Sequence, residues 1–311
     1  MTDEASGQAS HPKPEWSVFF SAAEWRRFIE VVCAALESTG RAYRIDAPSG
    51  VVYLESGDAE SALGLTNLAQ MCHAVGDPGE WPEIVARHFQ ALSQAVDPFE
   101  AGGQEALEAD FDRARPVLKV RLYPVDYTEA DLVAFPVADG IIAALTYDLP
   151  QTVVTVRPEA LERWGTGPEA LFEQALDNVW SEGRVMEQPF EPAPSIQATA
   201  LVGESFFTAT HALMLDRYLI PPPDMGAIVA IPTRHTVLYA GIRDASVVAS
   251  ISVLSLAARG LHADGPGSVS PGLYWWRPDG SLLHLPIEIR DDALHFRPPG
   301  EFVEQVLDRL E

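Results

Sequence analysis

Lysine is almost missing from this chain of 311 residues. Only Lys13 and Lys119 occur; arginine supplies the other 19 bases, and 45 acids outnumber the 21 bases to give a formal net charge of −24. Such a surface repels phosphate backbones and anionic headgroups, which argues against nucleic acid and membranes as partners. The acidity is not a tail. Up to Arg115 there are 19 acids and 8 bases, and beyond it 26 acids and 13 bases. A basic protein or a cation fits this surface better as a partner, and the internal ion pairs are expected to use arginine, whose planar fork meets a carboxylate in two places.

Cysteine is scarce as well. Cys33 and Cys72 share no C-x-x-C spacing, and both fall on apolar helical patterns. Buried free thiols are expected, with no disulfide framework, which suits a reducing cytoplasm. Long apolar runs are lacking. The stretch Ala245–Ala258 contains four serines and is expected to be too short to span a bilayer. The first residues, MTDEASGQASHPKPEW, lack the basic start and apolar core of a signal peptide, so a cytoplasmic place is expected. Strong catalytic signatures are missing too: the Gly-rich phosphate loops, H-E-x-x-H and paired C-x-x-C. Gly203-Glu-Ser205-Phe-Phe207 lacks the second glycine of a nucleophile elbow. No cofactor and no metal site is expected; Asp110 and Asp112 alone are a weak metal signal.

What is present reads as alternating helix and strand patterns. Residues 1–14 are polar and expected to be disordered. Ser21-Ala-Ala-Glu24 is a capping box ahead of Trp25, Phe28, Ile29, Val32 and Leu36 at helical spacing. A hairpin over Tyr43–Leu54 and two further helices complete a small α+β module, helix-hairpin-helix in order, over 15–96. Residues 97–115 hold an acidic stretch and read as a linker. A larger α+β domain follows over 116–311, beginning with the strand at Pro116–Pro124. EQPFEPAPS reads as a loop, Ser205–Thr210 as a strand, and VAIPTRHTVLYAGIRD as a hairpin with a polar tip. Strands come in runs with helices between the runs, which predicts an α+β fold with a mostly antiparallel sheet.

Six polar or aromatic residues are candidates for a site. Arg121 lies on the polar face of its strand, able to hold an anion or to pair with Asp148 or Asp244. His235 sits at the hairpin tip, where ordinary turn chemistry also explains it. Asp244 stands where a strand hands over to a helix and is expected to cap it. Trp275 and Trp276 are adjacent in a strand and so face opposite sides. One is expected in the core, and an exposed Trp276 beside Arg277 suits a protein interface. His211, at a helix start after FFTAT, is a further possible base, more simply a capping side chain.

The order and spacing of AYRIDAPSGVVYLE, LGLTNLAQM, PVLKVRLYP, IIAALTYDLPQTVVTV, ERWG, ALDNVW and LYWWRPDGSLLHLPI resemble the YtpQ-like family of uncharacterised bacterial proteins over residues 20–290. The resemblance implies a soluble α+β bacterial protein and brings no activity, cofactor or catalytic residue. Between Glu182 and Tyr218 it is looser. Taken with the spread acidity and the missing catalytic motifs, the expectation is a non-catalytic module, adaptor or immunity-like, that binds another and basic protein. The alternative is an enzyme, for example one of a biosynthetic pathway, whose polar pocket would be built from Arg121, Asp148, His235 and Asp244 and would require those four in one cleft.

Overall fold

A computed structural model describes residues 12–56, 59–98, 103–127, 132–149, 152–193, 196–290 and 293–310. Almost all of the N-terminal segment expected to be disordered lies outside the described residues. The chain divides into two compact units, Met1–Val96 and Asp97–Glu311.

The first unit begins with helix α1 (Ala22–Ser38), which starts where the capping box places it: the Ser21 hydroxyl accepts from Glu24 N, and the Glu24 carboxylate accepts from Ser21 N. Strands β1 (Tyr43–Asp46) and β2 (Val51–Ser56) pair antiparallel as the hairpin pattern predicts, but β3 (Ala59–Gly64) extends them to a three-stranded sheet. The small module is therefore not helix-hairpin-helix. The small side chains of β3, AESALG, gave no alternation strong enough to announce a strand. Helix α2 (Thr66–Val75) stops at the left-handed Gly76, and α3 (Trp81–Pro98) follows. Their apolar stripes meet α1 and the sheet in a core of Trp25, Phe28, Leu36, Val52, Leu68 and Trp81.

The second unit opens with α4 (Gln104–Ala109) and α5 (Phe111–Ala114), so the acidic stretch is helical where it is described. Its Glu108 is buried because Arg157 clamps it in two-pronged fashion, at 2.8 Å for both contacts, and Arg163 adds a third at 3.4 Å. Ala114 joins the core beside it. Strands β4 (Leu118–Pro124), β5 (Ala134–Ala138), β6 (Ile141–Leu149) and β7 (Thr152–Thr155) form an antiparallel sheet in which β6 pairs with the other three. Helices α6 (Pro158–Trp164) and α7 (Pro168–Ser181) come next.

The remaining elements build a larger sheet. They are β8 (Met186–Ala193), β9 (Ile196–Val202), β10 (Ala227–Thr233), β11 (Thr236–Gly241), helix α8 (Val247–Asp264), β12 (Leu273–Trp276) and β13 (Leu282–Leu285), with spatial order β13-β12-β10-β11-β9-β8, all antiparallel. A separate hairpin, β14 (Ile287–Arg290) with β15 (Ala293–Phe296), and helix α9 (Gly300–Gln305) complete the unit. The protein is thus an α+β protein with antiparallel sheets. Two expectations fail for identifiable reasons. EQPFEPAPS contains most of strand β8, since prolines are admitted at a sheet edge where no ladder donor is needed. Ser205–Thr210 is not a strand; it leads into a 3-10 helix, Thr208–Arg217, whose Thr210 hydroxyl donates to the Val120 carbonyl of β4. Helix α8 is also longer than expected. Its 18 residues are apolar enough by length and composition to cross a membrane, yet Ile251, Leu254 and Ala258 lie against the large sheet.

The centre of the large sheet is buried on both faces. In β10, Ala227, Val229 and Ile231 join the core shared with β4 and β6, while Ile228 and Ala230 join the core under α8. Trp275 and Trp276 follow the same alternation, and both are buried, at 0% and 1% exposure. Trp275 packs on Phe302 and donates to the Met225 carbonyl at 2.8 Å. The expectation of an exposed Trp276 fails because both faces of β12 are covered. Gly226 precedes β10 with φ 75°, and a Cβ there would lie 2.0 Å from the Trp276 carbonyl oxygen. The backbone contact and the left-handed angle both demand glycine. Gly226→Ala is expected to cost more than about 3 kcal/mol in urea unfolding, because a central strand must move. Gly165→Ala, at a helix end with φ 62° and open space around it, should cost about 1 kcal/mol.

Candidate functional site

Strands β10 and β11 meet in the two-residue tip Arg234-His235, closed by the Thr233–Thr236 pair. Three neighbouring segments hold this tip through the backbone: Arg234 N donates to Gly267 O at 2.8 Å, Ala209 N to Arg234 O at 3.0 Å, and Gly203 N to His235 O at 3.2 Å. The tip is therefore a fixed platform.

The two side chains are coupled. His235 Nδ1 lies 3.1 Å from the Gly203 carbonyl, which can only accept, so Nδ1 carries the proton. Nε2 is then the acceptor for Arg234 Nε at 2.9 Å. Burial, and next the Arg234 charge, hold the His235 pKa below its usual value. Neutral His235 thus orients the Arg234 guanidinium. The stem of Arg234 rests on Gly267, where φ is 78° and a Cβ would lie 2.8 Å from Cγ, Cδ and Nε. Burial, and then Arg121, pull the Arg234 pKa down to about 10, which still leaves a cation at pH 7.

Arg121 reaches the same place from β4. Its Cζ lies 4.6 Å from the Tyr123 ring centroid and 5.6 Å from that of Phe206, while Arg234 Cζ lies 4.7 Å from Phe206. Phe206 is 40% exposed, so the ring is an open surface shared by two guanidinium groups. Among the described residues neither arginine has a carboxylate partner. The Arg121 guanidinium has no hydrogen bond there, its buried Nε included, and the Arg234 guanidinium has only the one to His235. Two paired, partly desolvated forks suit a planar anion, a carboxylate or a phosphate, held through several N–H donors.

The other candidates lie elsewhere. Asp148 is taken by Lys119, whose ammonium also meets Glu182 and sits 4.7 Å from the Phe207 ring centroid. That buried lysine, two residues before Arg121 on one strand face, outcompetes Arg121 for the carboxylate. Asp244 is fully exposed beyond the end of β11 opposite His235. It accepts from Ser246 N at 2.8 Å, and Ser246 rather than Asp244 occupies the cap position of α8. Of the four residues of the enzyme pocket, only Arg121 and His235 share a neighbourhood, both beside the Phe206 ring. Arg277 is committed to Glu301 at 2.7 Å and Ser281 at 3.1 Å, and Trp276 is core. Phe206 and Gly267 were not singled out from the sequence, and Arg234 figured there only as part of the polar hairpin tip.

His211 is buried, with Nδ1 2.7 Å from the Tyr218 hydroxyl, and Asp216 is exposed. Burial first, and Arg217 second, lower its pKa to about 4. It therefore serves the packing around Trp180 and Tyr218.

Compared with models of protein families, with curated proteins and with solved structures, the chain matches none.

The low pKa of His211 has a consequence for stability. The unfolded chain takes up its proton near pH 6.5, the folded chain only near pH 4. Stability is fully present above 6.5, falls as pH drops through this window, and levels off below it, with a loss of about 3 kcal/mol. Urea unfolding across this range should show the slope in the wild type and a flatter profile in His211→Gln.

Proposed function

We propose that the protein is a non-catalytic binding module for another protein, and that Arg121 and Arg234 seat a carboxylate of that partner. The observation that carries this reading is the arginine pair itself. In a chain with 45 acids and 21 bases, two neighbouring cations share one exposed aromatic ring without a carboxylate among the described residues. Bringing a carboxylate between them relieves their repulsion and supplies the acceptors their N–H groups lack. Arginine and aromatic side chains at a partly exposed, rigid platform are also the composition of interface hot spots. The acid excess of the chain steers a partner that is basic overall, with the carboxylate as its central anchor. An adaptor or an immunity-like protein fits such a role. The resemblance to the YtpQ-like family adds no activity to weigh against it.

The test uses two labelled peptides, one of lysines only and one with a single glutamate among lysines, followed by fluorescence anisotropy. The glutamate peptide should bind more tightly, and Arg121→Gln with Arg234→Gln should weaken it at least tenfold, about 1.4 kcal/mol, without changing the lysine peptide. Equal affinity of both peptides for wild type and variant would remove the arginine pair from the reading.

A further inference from the structure

A second feature of the larger unit uses none of the residues of the arginine pair. A cavity of about 320 Å³ opens between α8, the start of β12 and strand β13, beside the Asp139-Gly140 turn. That volume lies at the small end of ligand sites. Its floor is apolar, from Leu273 and Leu285, and its polar groups fall into two sets.

The first set is satisfied within the protein. Tyr274 OH donates to the Asp139 carbonyl at 3.1 Å and stands 2.6 Å from Ser270 Oγ, so the serine gives its proton to the tyrosine oxygen. Ser270 Oγ in turn accepts from Gly272 N at 3.1 Å. The second set is not. Ser255 is 2% exposed, and it lines the cavity with a hydroxyl for which no side-chain hydrogen bond is found among the described residues. Arg259, one helical turn on and on the same side of α8, donates Nη2 to the Ile287 carbonyl at 2.8 Å, while its buried Nε has no partner among the described residues. His284 turns Nδ1 toward Asp139 Oδ2 at 3.4 Å, which leaves Nε2 directed to the other side. In the neutral ring with its proton on Nδ1, Nε2 is an acceptor. A buried guanidinium N–H left without an acceptor is a costly arrangement in a folded protein; a ligand that brings an acceptor resolves it, with the Ser255 hydroxyl at the cavity wall as a further donor.

We propose that this cavity is a binding site for a small hydroxy acid. The carboxylate takes the donors of Arg259 and Ser255, the ligand hydroxyl donates to His284 Nε2, and the short carbon chain lies on Leu273 and Leu285. Gly272 sets the size limit. A Cβ there would stand 3.2 Å from His284 Nε2 and 3.3 Å from Ser270 Oγ, and its φ is not left-handed, so alanine fills the space between those two groups without backbone strain.

The experiment is saturation-transfer NMR and calorimetry of the full chain with lactate, propionate and lactamide, up to about 10 mM, which covers the weak binding expected of small ligands. Lactate should bind, with propionate and lactamide each weaker by about tenfold for the lost hydroxyl or charge. Gly272→Ala and Arg259→Gln should each weaken lactate by about tenfold or more, with melting curves confirming that both variants fold. No lactate binding by the wild type, equal binding of all three compounds, or unchanged lactate affinity in a folded Gly272→Ala variant would each overturn the proposal. The glutamate-peptide measurement is independent of all these results, so either reading can fail alone.

Discussion

Strand β10 carries seven consecutive buried residues, Ala227–Thr233. Such a strand cannot sit on a surface, and an antiparallel sheet that usually wets one face must here be covered on both. The two coverings account for most of the second unit. Helices α8 and α9 close one side through Ile251, Leu254 and Phe302, and the sheet of β4 to β7 closes the other through Val120, Leu122 and Leu145. Each buried side chain of this size contributes about 1.5–3 kcal/mol, which requires tight fit on both sides at once. The fixed position of the hairpin tip follows. The tip is the end of a strand buried over its whole length, and its polar residues inherit that rigidity.

Charge is allocated with the same economy. Glu108 is buried because Arg157 and Arg163 meet it, and Lys119 is buried because Asp148 and Glu182 meet it. Arg277 is held by Glu301. Arg121 and Arg234 differ from these in lacking an acid among the described residues, and the aromatic rings around them replace part of the lost hydration without neutralising the charge.

Much of the fold was legible in the sequence. Ser21 and Glu24 announced α1, and the apolar runs around Arg234-His235 announced β10 and β11. Failures came where the deciding contact is distant in the chain. Nothing local in EQPFEPAPS reveals that β9 is available to pair with it, and nothing in FFTAT reveals that Thr210 will satisfy Val120. The site was half legible. Arg121 and His235 were visible as polar residues in apolar surroundings, but Phe206, which gathers them, looked like part of a strand. Asp148 was a reasonable partner for Arg121 by spacing alone; only the fold shows that Lys119 reaches it first. The two tryptophans were read correctly as facing opposite sides, yet a sheet coated on both sides makes that alternation irrelevant to exposure.

Strand β8 closes one edge of the large sheet, with Pro189 in its ladder and Pro192 in the irregular step between Phe190 and Ala193. Neither residue has an N–H to offer. A strand arriving from another molecule would meet gaps in the row of donors it needs. On this edge the large sheet is therefore finite by construction: crowding at high concentration does not turn β8 into a template for growth into fibres.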